Sequence, residues 1–125
     1  MFERRKTEKS KADKRNLSRK SFSYYMPVVD DKSEKAIGYL TDISSRGFRL
    51  DCKQELPVNR TYSLRLDLTD DVADKSSMVV VARNQWCRHD ELDPFVYNVG
   101  FQIVSIAPDD AAIFQRMIER YGVSA

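Results

Sequence analysis

The feature that most constrains this chain is a hydrophobic period of two. Tyr62, Leu64, Leu66 and Leu68 alternate with Ser63, Arg65, Asp67 and Thr69. Successive side chains of a strand point to opposite faces, so this is the pattern of a half-buried β-strand. The same period returns in Tyr97, Val99, Phe101 and Ile103, set against Asn98, Gly100 and Gln102. Runs rich in aromatic and β-branched residues predict further strands over 22–29, 36–43, 48–52 and 78–86. Pro27 marks the first of these as an edge or a bend. The connections, at 30–34, 44–47, 56–59, 70–77 and 89–94, are short and mostly polar, and 70–77 reads as an exposed loop. About six strands joined by short turns predict an all-β fold, an antiparallel barrel or sandwich.

The last segment changes period. Ile113, Phe114, Met117, Ile118 and Tyr121 form one apolar stripe at helical spacing. Pro108 suits a first helical position, and Asp109 and Asp110 fall in the first turn, where the helix dipole favours anions. Arg116 and Arg120 lie towards the other end, and Gly122 just beyond it. The pattern predicts one C-terminal amphipathic α-helix over about 108–121, burying its stripe against the barrel.

A chain of 125 residues predicts one domain. No apolar run approaches the ~18 residues that a membrane helix needs, so no membrane insertion is expected. The N-terminal charges have no apolar stretch behind them, which predicts no export signal and a cytoplasmic location. Cys52 and Cys87 have no paired spacing with each other or with His89, so they read as two buried thiols rather than metal ligands. The formal charge of +2 hides a division. Residues 1–20 carry nine Lys and Arg against three acids, a net of +6, while the other 105 residues carry 12 against 16, a net of −4. Residues 1–14 have no apolar period and predict a solvated, flexible basic N-terminal arm, followed by a folded unit over 15–125 with its barrel at about 22–106. A basic arm calls for an anionic partner.

Two short motifs fall at the edges of these elements. Arg15-Asn16-Leu17-Ser18-Arg19 places two arginines four apart where arm meets body. Asp42-Ile43-Ser44-Ser45-Arg46-Gly47 spans the turn between the second and third expected strands, with 22 residues between Arg19 and Asp42. RxxxR followed by DxSxxG resembles the paired signature of the PilZ family. The likeness extends over about residues 14–121, including the strand Tyr97-Asn98-Val99-Gly100-Phe101 and the final helix.

The resemblance implies a six-stranded antiparallel β-barrel of the PilZ-like, split-barrel type that binds the second messenger cyclic di-GMP, without catalysis and without a cofactor. It assigns ligand contact to Arg15, Arg19, Asp42, Ser44 and Gly47. The chemistry agrees with that ligand, which carries two phosphates and two guanines. A guanidinium binds a phosphate bidentately, pairs with the O6/N7 edge of guanine or stacks on a base. An ionised Asp42 accepts from the N1–H and N2–H donors of guanine. Gly47 permits a positive φ in the turn and a close approach of the backbone to a ligand. Lys14 occupies the position that, in the family, bears on whether one ligand molecule or a stacked pair is bound. Lys20 and Arg46 are secondary candidates. The partners implied are cyclic di-GMP itself and a separate, unidentified downstream protein.

Plainer readings stand beside these. The basic arm is solvated in any case, and Asp42 and Ser44 are residues that stabilise turns through their own side chains. Trp86 continues the face of Met78, Val80 and Ala82 and reads as core. His89 has no nucleophile or carboxylate at a recognisable spacing, and Asp70, Asp71 and Asp74 lack the pattern of a calcium loop. Two other functions compete with the receptor. A small barrel with a basic arm can bind single-stranded nucleic acid, although the acidic body disfavours it. A PilZ-like adaptor without ligand would act through protein contacts alone, against which the complete pair of motifs argues.

Overall fold

The computed structural model describes residues 20–124. Its elements in chain order are β1 (Lys20–Phe22), β2 (Pro27–Asp30), β3 (Ala36–Ser44), β4 (Gly47–Cys52), β5 (Thr61–Asp67), β6 (Ser77–His89), β7 (Tyr97–Ser105), α1 (Pro108–Tyr121) and β8 (Gly122–Ser124). Six strands form a closed antiparallel barrel in the order β2-β5-β6-β7-β4-β3, with β3 returning to β2. The barrel expected from the alternation is therefore the observed fold. Two short strands lie outside it: β1 pairs with the end of β3, and β8 with β1.

Alternation supplies the core. Val28, Ile43, Leu50, Leu64, Leu66, Val80, Ala82 and Val99 are all 0% exposed. The helix closes the core as its stripe requires. Ile113, Phe114, Met117 and Ile118 are buried, and the Phe114 ring lies 6.3 Å from that of Phe48, which stacks on Phe101 at 5.4 Å.

Two expectations are corrected. The single strand expected over 22–29 is two strands. Between the Ser21–Asp42 and Pro27–Tyr39 pairings, the chain places five residues against two on β3. The surplus bulges outward and carries the exposed Tyr24 and Tyr25. There, both the amide and the hydroxyl of Ser23 donate to the carbonyl of Tyr121, at 2.9 and 2.8 Å. The β5–β6 loop is not wholly exposed either. Val72 and Ala73 are buried beneath α1, and Arg116 Nε donates to the Val72 carbonyl at 2.8 Å. Asp71 beside them accepts from the hydroxyls of Thr69 and Tyr121 and pairs with Arg120 Nε at 2.9 Å. Lys75 pairs with Asp110 at 2.6 Å. The polar residues of this loop hold the helix in place, while its two apolar ones join the core.

Candidate functional site

Period-two geometry decides which side chains leave the barrel, and two β-bulges alter it. In β3, Leu40 faces Leu50 inside the barrel, so strict alternation would turn Asp42 inward as well. Instead Asp42 pairs with Arg49, leaving Thr41 as the extra residue. The bulge turns Asp42 and Ser44 to the outer face and sends Ile43 into the core. In β6, Asn84 pairs with Phe101 and Trp86 with Gly100, leaving Gln85 extra. This second bulge puts Cys87 opposite Val99 on the core side and turns Trp86 and Arg88 outward. The expectation that Trp86 belongs to the core is thereby corrected, since alternation counted from Met78 runs out of phase beyond Gln85.

The outcome is one outer surface spanning β3, β4, β7 and β6. Across it runs the row Asp42, Arg49, Gly100, Trp86, and beside that the row Tyr39, Asp51, Asn98, Arg88. Arg49 Nε lies 3.5 Å from Asp42 Oδ2 and donates to Thr41 Oγ1 at 3.1 Å. The Arg88 guanidinium lies over the Trp86 ring at 4.2 Å from its centroid, a cation–π contact. Gly100 allows the indole to lie flat on the sheet, because a Cβ there would meet the ring at 2.3 Å. Trp86 forms a wall shared by two concavities. One, of about 210 Å³, reaches the DxSxxG turn through Ser44, Arg46 and Gly47. The other, of about 420 Å³, is bordered by Arg49, Arg88, Asp90 and Asn98.

The polar groups here are held in place. Asn98 Nδ2 bridges Asp51 Oδ1 at 2.9 Å and Asp90 Oδ1 at 3.0 Å. Burial raises the Asp51 carboxyl above its usual range, against the lowering effect of the Asn98 hydrogen bond. The backbone N–H of Leu92, then Asn98 and the N–H of Asp93, hold the Asp90 carboxyl below its usual range. Three guanidinium groups, Arg46, Arg49 and Arg88, surround one indole and one carboxylate. Such a surface suits a flat, polyanionic ligand. Guanidinium groups meet phosphates, the indole stacks on a base, and Asp42 accepts from base N–H groups.

The sequence-predicted residues are only partly brought together. Asp42, Ser44, Arg46 and Gly47 lie on this face. Ser44 Oγ donates to the Gly47 carbonyl at 3.3 Å, so its turn-stabilising role is realised. Gly47 is corrected in its physical reason: no described glycine has a positive φ. Glycine is needed there because a Cβ would stand 2.2 Å from the Phe101 carbonyl oxygen on β7. Lys20 lies apart from the face. It pairs with Ile43 rather than Asp42, and its aliphatic stem runs along Gly122. Arg15, Arg19 and Lys14 lie outside the described residues, as does the 1–14 arm.

Sequence reasoning missed Arg49, Trp86 and Arg88. The spacing of Trp86 and Arg88 already put them on a common strand face; only the bulge said which. His89 is exposed and stacks on Tyr97, with 4.5 Å between ring centroids. Both cysteines are free thiols; Cys52 is buried, with its pKa pushed up to about 12, and Cys87 is half-buried. Among the described residues no helix is long and apolar enough to cross a membrane, and no three His, Cys, Asp or Glu side chains group as metal ligands.

Comparison with known proteins supplies the context. The model of the PilZ domain matches residues 4–120. The fold is similar to that of the Bacillus subtilis inhibitor of motility MotI/DgrA, with a TM-score of 0.64 and 15% identity, covering 82% of this chain and 49% of that one. This chain thus spans about half of that protein's length. It is also similar to the PilZ domain of YcgR from Escherichia coli, a structure with c-di-GMP, with a TM-score of 0.61 and 12% identity, covering 82% of this chain and 87% of that one. No curated protein matches the chain in sequence.

Proposed function

Because the chain belongs to the PilZ domain family, we propose that it is a receptor for cyclic di-GMP, a binding module that performs no catalysis. The observation that carries this reading is the meeting of the DxSxxG turn with Trp86 and Arg88 on one outer face. In the proposed mechanism the ligand docks against Asp42, Ser44 and Gly47, with a guanine stacked on the Trp86 indole. Arg15 and Arg19 then close over it from the arm and bind its phosphates. Ordering of this kind is a common way for a small ligand to change the surface that a protein presents.

The route to a separate partner protein runs through β1, which follows Arg19 directly. Ser21 is in register with Asp42 on one side and with Val123 of β8 on the other. Ser23, next along, bonds the last carbonyl of α1. A pull on the arginines is thus felt at Asp42 and at the helix end together, and the downstream protein reads that change.

Isothermal titration calorimetry with cyclic di-GMP tests the reading. Saturable binding is expected. Each lost charge-assisted contact should cost about 1.5–3 kcal/mol, roughly one to two decades of affinity. An Arg15→Ala/Arg19→Ala double variant that binds like the wild type would overturn the role of RxxxR. A folded protein that gives no saturable heat would overturn the receptor.

A further inference from the structure

The largest concavity among the described residues lies beyond the site just described. It has a volume of about 560 Å³ and lies where β3 and β4 meet the bulged 23–26 segment and the β6–β7 loop. Its apolar lining includes Tyr25, Tyr39, Leu56 and Val96. Tyr25 is 69% and Tyr39 36% exposed, and their rings pair at 5.4 Å. The β6–β7 loop that forms the opposite wall also holds Phe95 at 80% and Leu92 at 94% exposure.

These apolar groups are not on a loose tip. Asp90 Oδ2 accepts from the amides of Leu92 and Asp93, each at 3.0 Å, and Asp93 Oδ1 accepts from the amide of Phe95 at 2.9 Å. Two backbone bonds between Asp90, Asp93 and Val96 close the loop. Large apolar side chains held outward on a hydrogen-bonded frame lose little entropy when something covers them. Exposed patches of this kind mark interaction sites.

Charge indicates what covers it. The groove is lined by two carboxylates and two ammonium groups. Asp51 is engaged by Asn98 and Asp93 by its own loop. The side chains of Lys35 and Lys53 have no carboxylate partner among the described residues, and both are exposed. The unspent charge at the rim is therefore positive. We infer that this groove docks an acidic, extended segment of a partner protein. An aliphatic or aromatic side chain enters between the tyrosine pair and Val96, and flanking carboxylates meet Lys35 and Lys53. The docking site stands independently of the cyclic di-GMP reading.

A randomised ten-residue peptide library displayed on phage and panned on the full chain tests the assignment. The expected enriched peptides carry an apolar residue flanked by acidic ones. Bound to labelled protein, the best of them should shift the amide resonances of Tyr25, Tyr39, Lys53 and Val96. Fluorescence anisotropy should show at least about a tenfold loss of its affinity in Tyr25→Ala and in Lys35→Glu/Lys53→Glu. The charge-reversed variant should instead bind a version of that peptide with lysines in place of its acids, which a merely misfolded variant would not do. Enrichment of basic or uncharged peptides, shifts confined to the Trp86 face, or affinity indifferent to charge reversal would each overturn the inference. So would concentration-dependent dimerisation through this groove, which would make a second copy of the chain its occupant.

Discussion

The outer face around Trp86 and the helix-covered side of the barrel are built by opposite means. Beneath α1, stability comes from apolar side chains in mutual contact: Phe114, Met117 and Ile118 packed on a barrel core whose leucines and valines are fully buried. On the outer face, form comes from the backbone. Two bulges aim the side chains, two glycines bring strand and indole close, and the exposed functional groups are arginines and an indole. Truncating a side chain should therefore be costly for folding on one side and costly for binding on the other.

The largest expected effect tests the helix side. Phe114→Ala should lose about 3–5 kcal/mol in urea denaturation, the usual cost of removing a buried ring. A loss under about 1 kcal/mol would show that α1 packs loosely and that the comparison is wrong. Its counterpart is Trp86→Ala. Stability should change far less than in Phe114→Ala, while affinity for cyclic di-GMP should fall by about 1–3 kcal/mol, the worth of one stacked base. Calorimetry and urea melts on both variants give the two quantities side by side.

The two glycines sharpen the contrast within the outer face. A Cβ at Gly47 meets a backbone carbonyl at 2.2 Å, whereas one at Gly100 meets the edge of the Trp86 ring at 2.3 Å. A carbonyl inside a paired strand cannot yield, but an indole can rotate. Gly47→Ala should lower the melting temperature more than Gly100→Ala, and Gly100→Ala should weaken ligand binding while leaving the fold largely intact. Equal melting temperatures would break this distinction.

A smaller effect comes from the contacts that hold the helix to the β5–β6 loop. The Thr69 hydroxyl, then the Tyr121 hydroxyl and Arg120, lower the Asp71 pKa from 3.8 to about 2. A carboxylate depressed in the folded state contributes stability above its unfolded value and loses it as the pH falls through the folded one. The melting temperature of the wild type should thus exceed that of Asp71→Asn at neutral pH. The gap should narrow between about pH 4 and pH 2. A constant gap would assign the effect to shape rather than charge. The smallest effect is expected in the arm: scrambling residues 1–12 should barely change ligand affinity, because only the positions of Arg15 and Arg19 are specific.

Much of this architecture was legible in the sequence because its causes are local. The leucines at 64 and 66 and the stripe from Ile113 to Tyr121 carry their periods openly, and they became a strand and a helix at the expected places. Asp42, Ser44 and Gly47 were legible as a motif. Trp86 was not, because its orientation depends on how β6 pairs with β7, which no local period records. The break after Phe22 was hidden for a similar reason: Phe22 and Val28 both suit a strand, and only the pairing with β3 reveals the surplus residues between them. The value of Gly47 was visible, but its cause, a carbonyl 54 positions away on another strand, was not.

The bulge at Gln85 works like a shift of reading frame. Upstream of it, even-numbered positions of β6 belong to the interior; downstream, odd-numbered ones do. A point substitution near it changes one side chain, but a deletion of one residue would exchange inside for outside in everything that follows. It would place an indole and a guanidinium in the core and expose the Cys87 thiol. This stretch of the chain can therefore drift in composition while its length stays fixed.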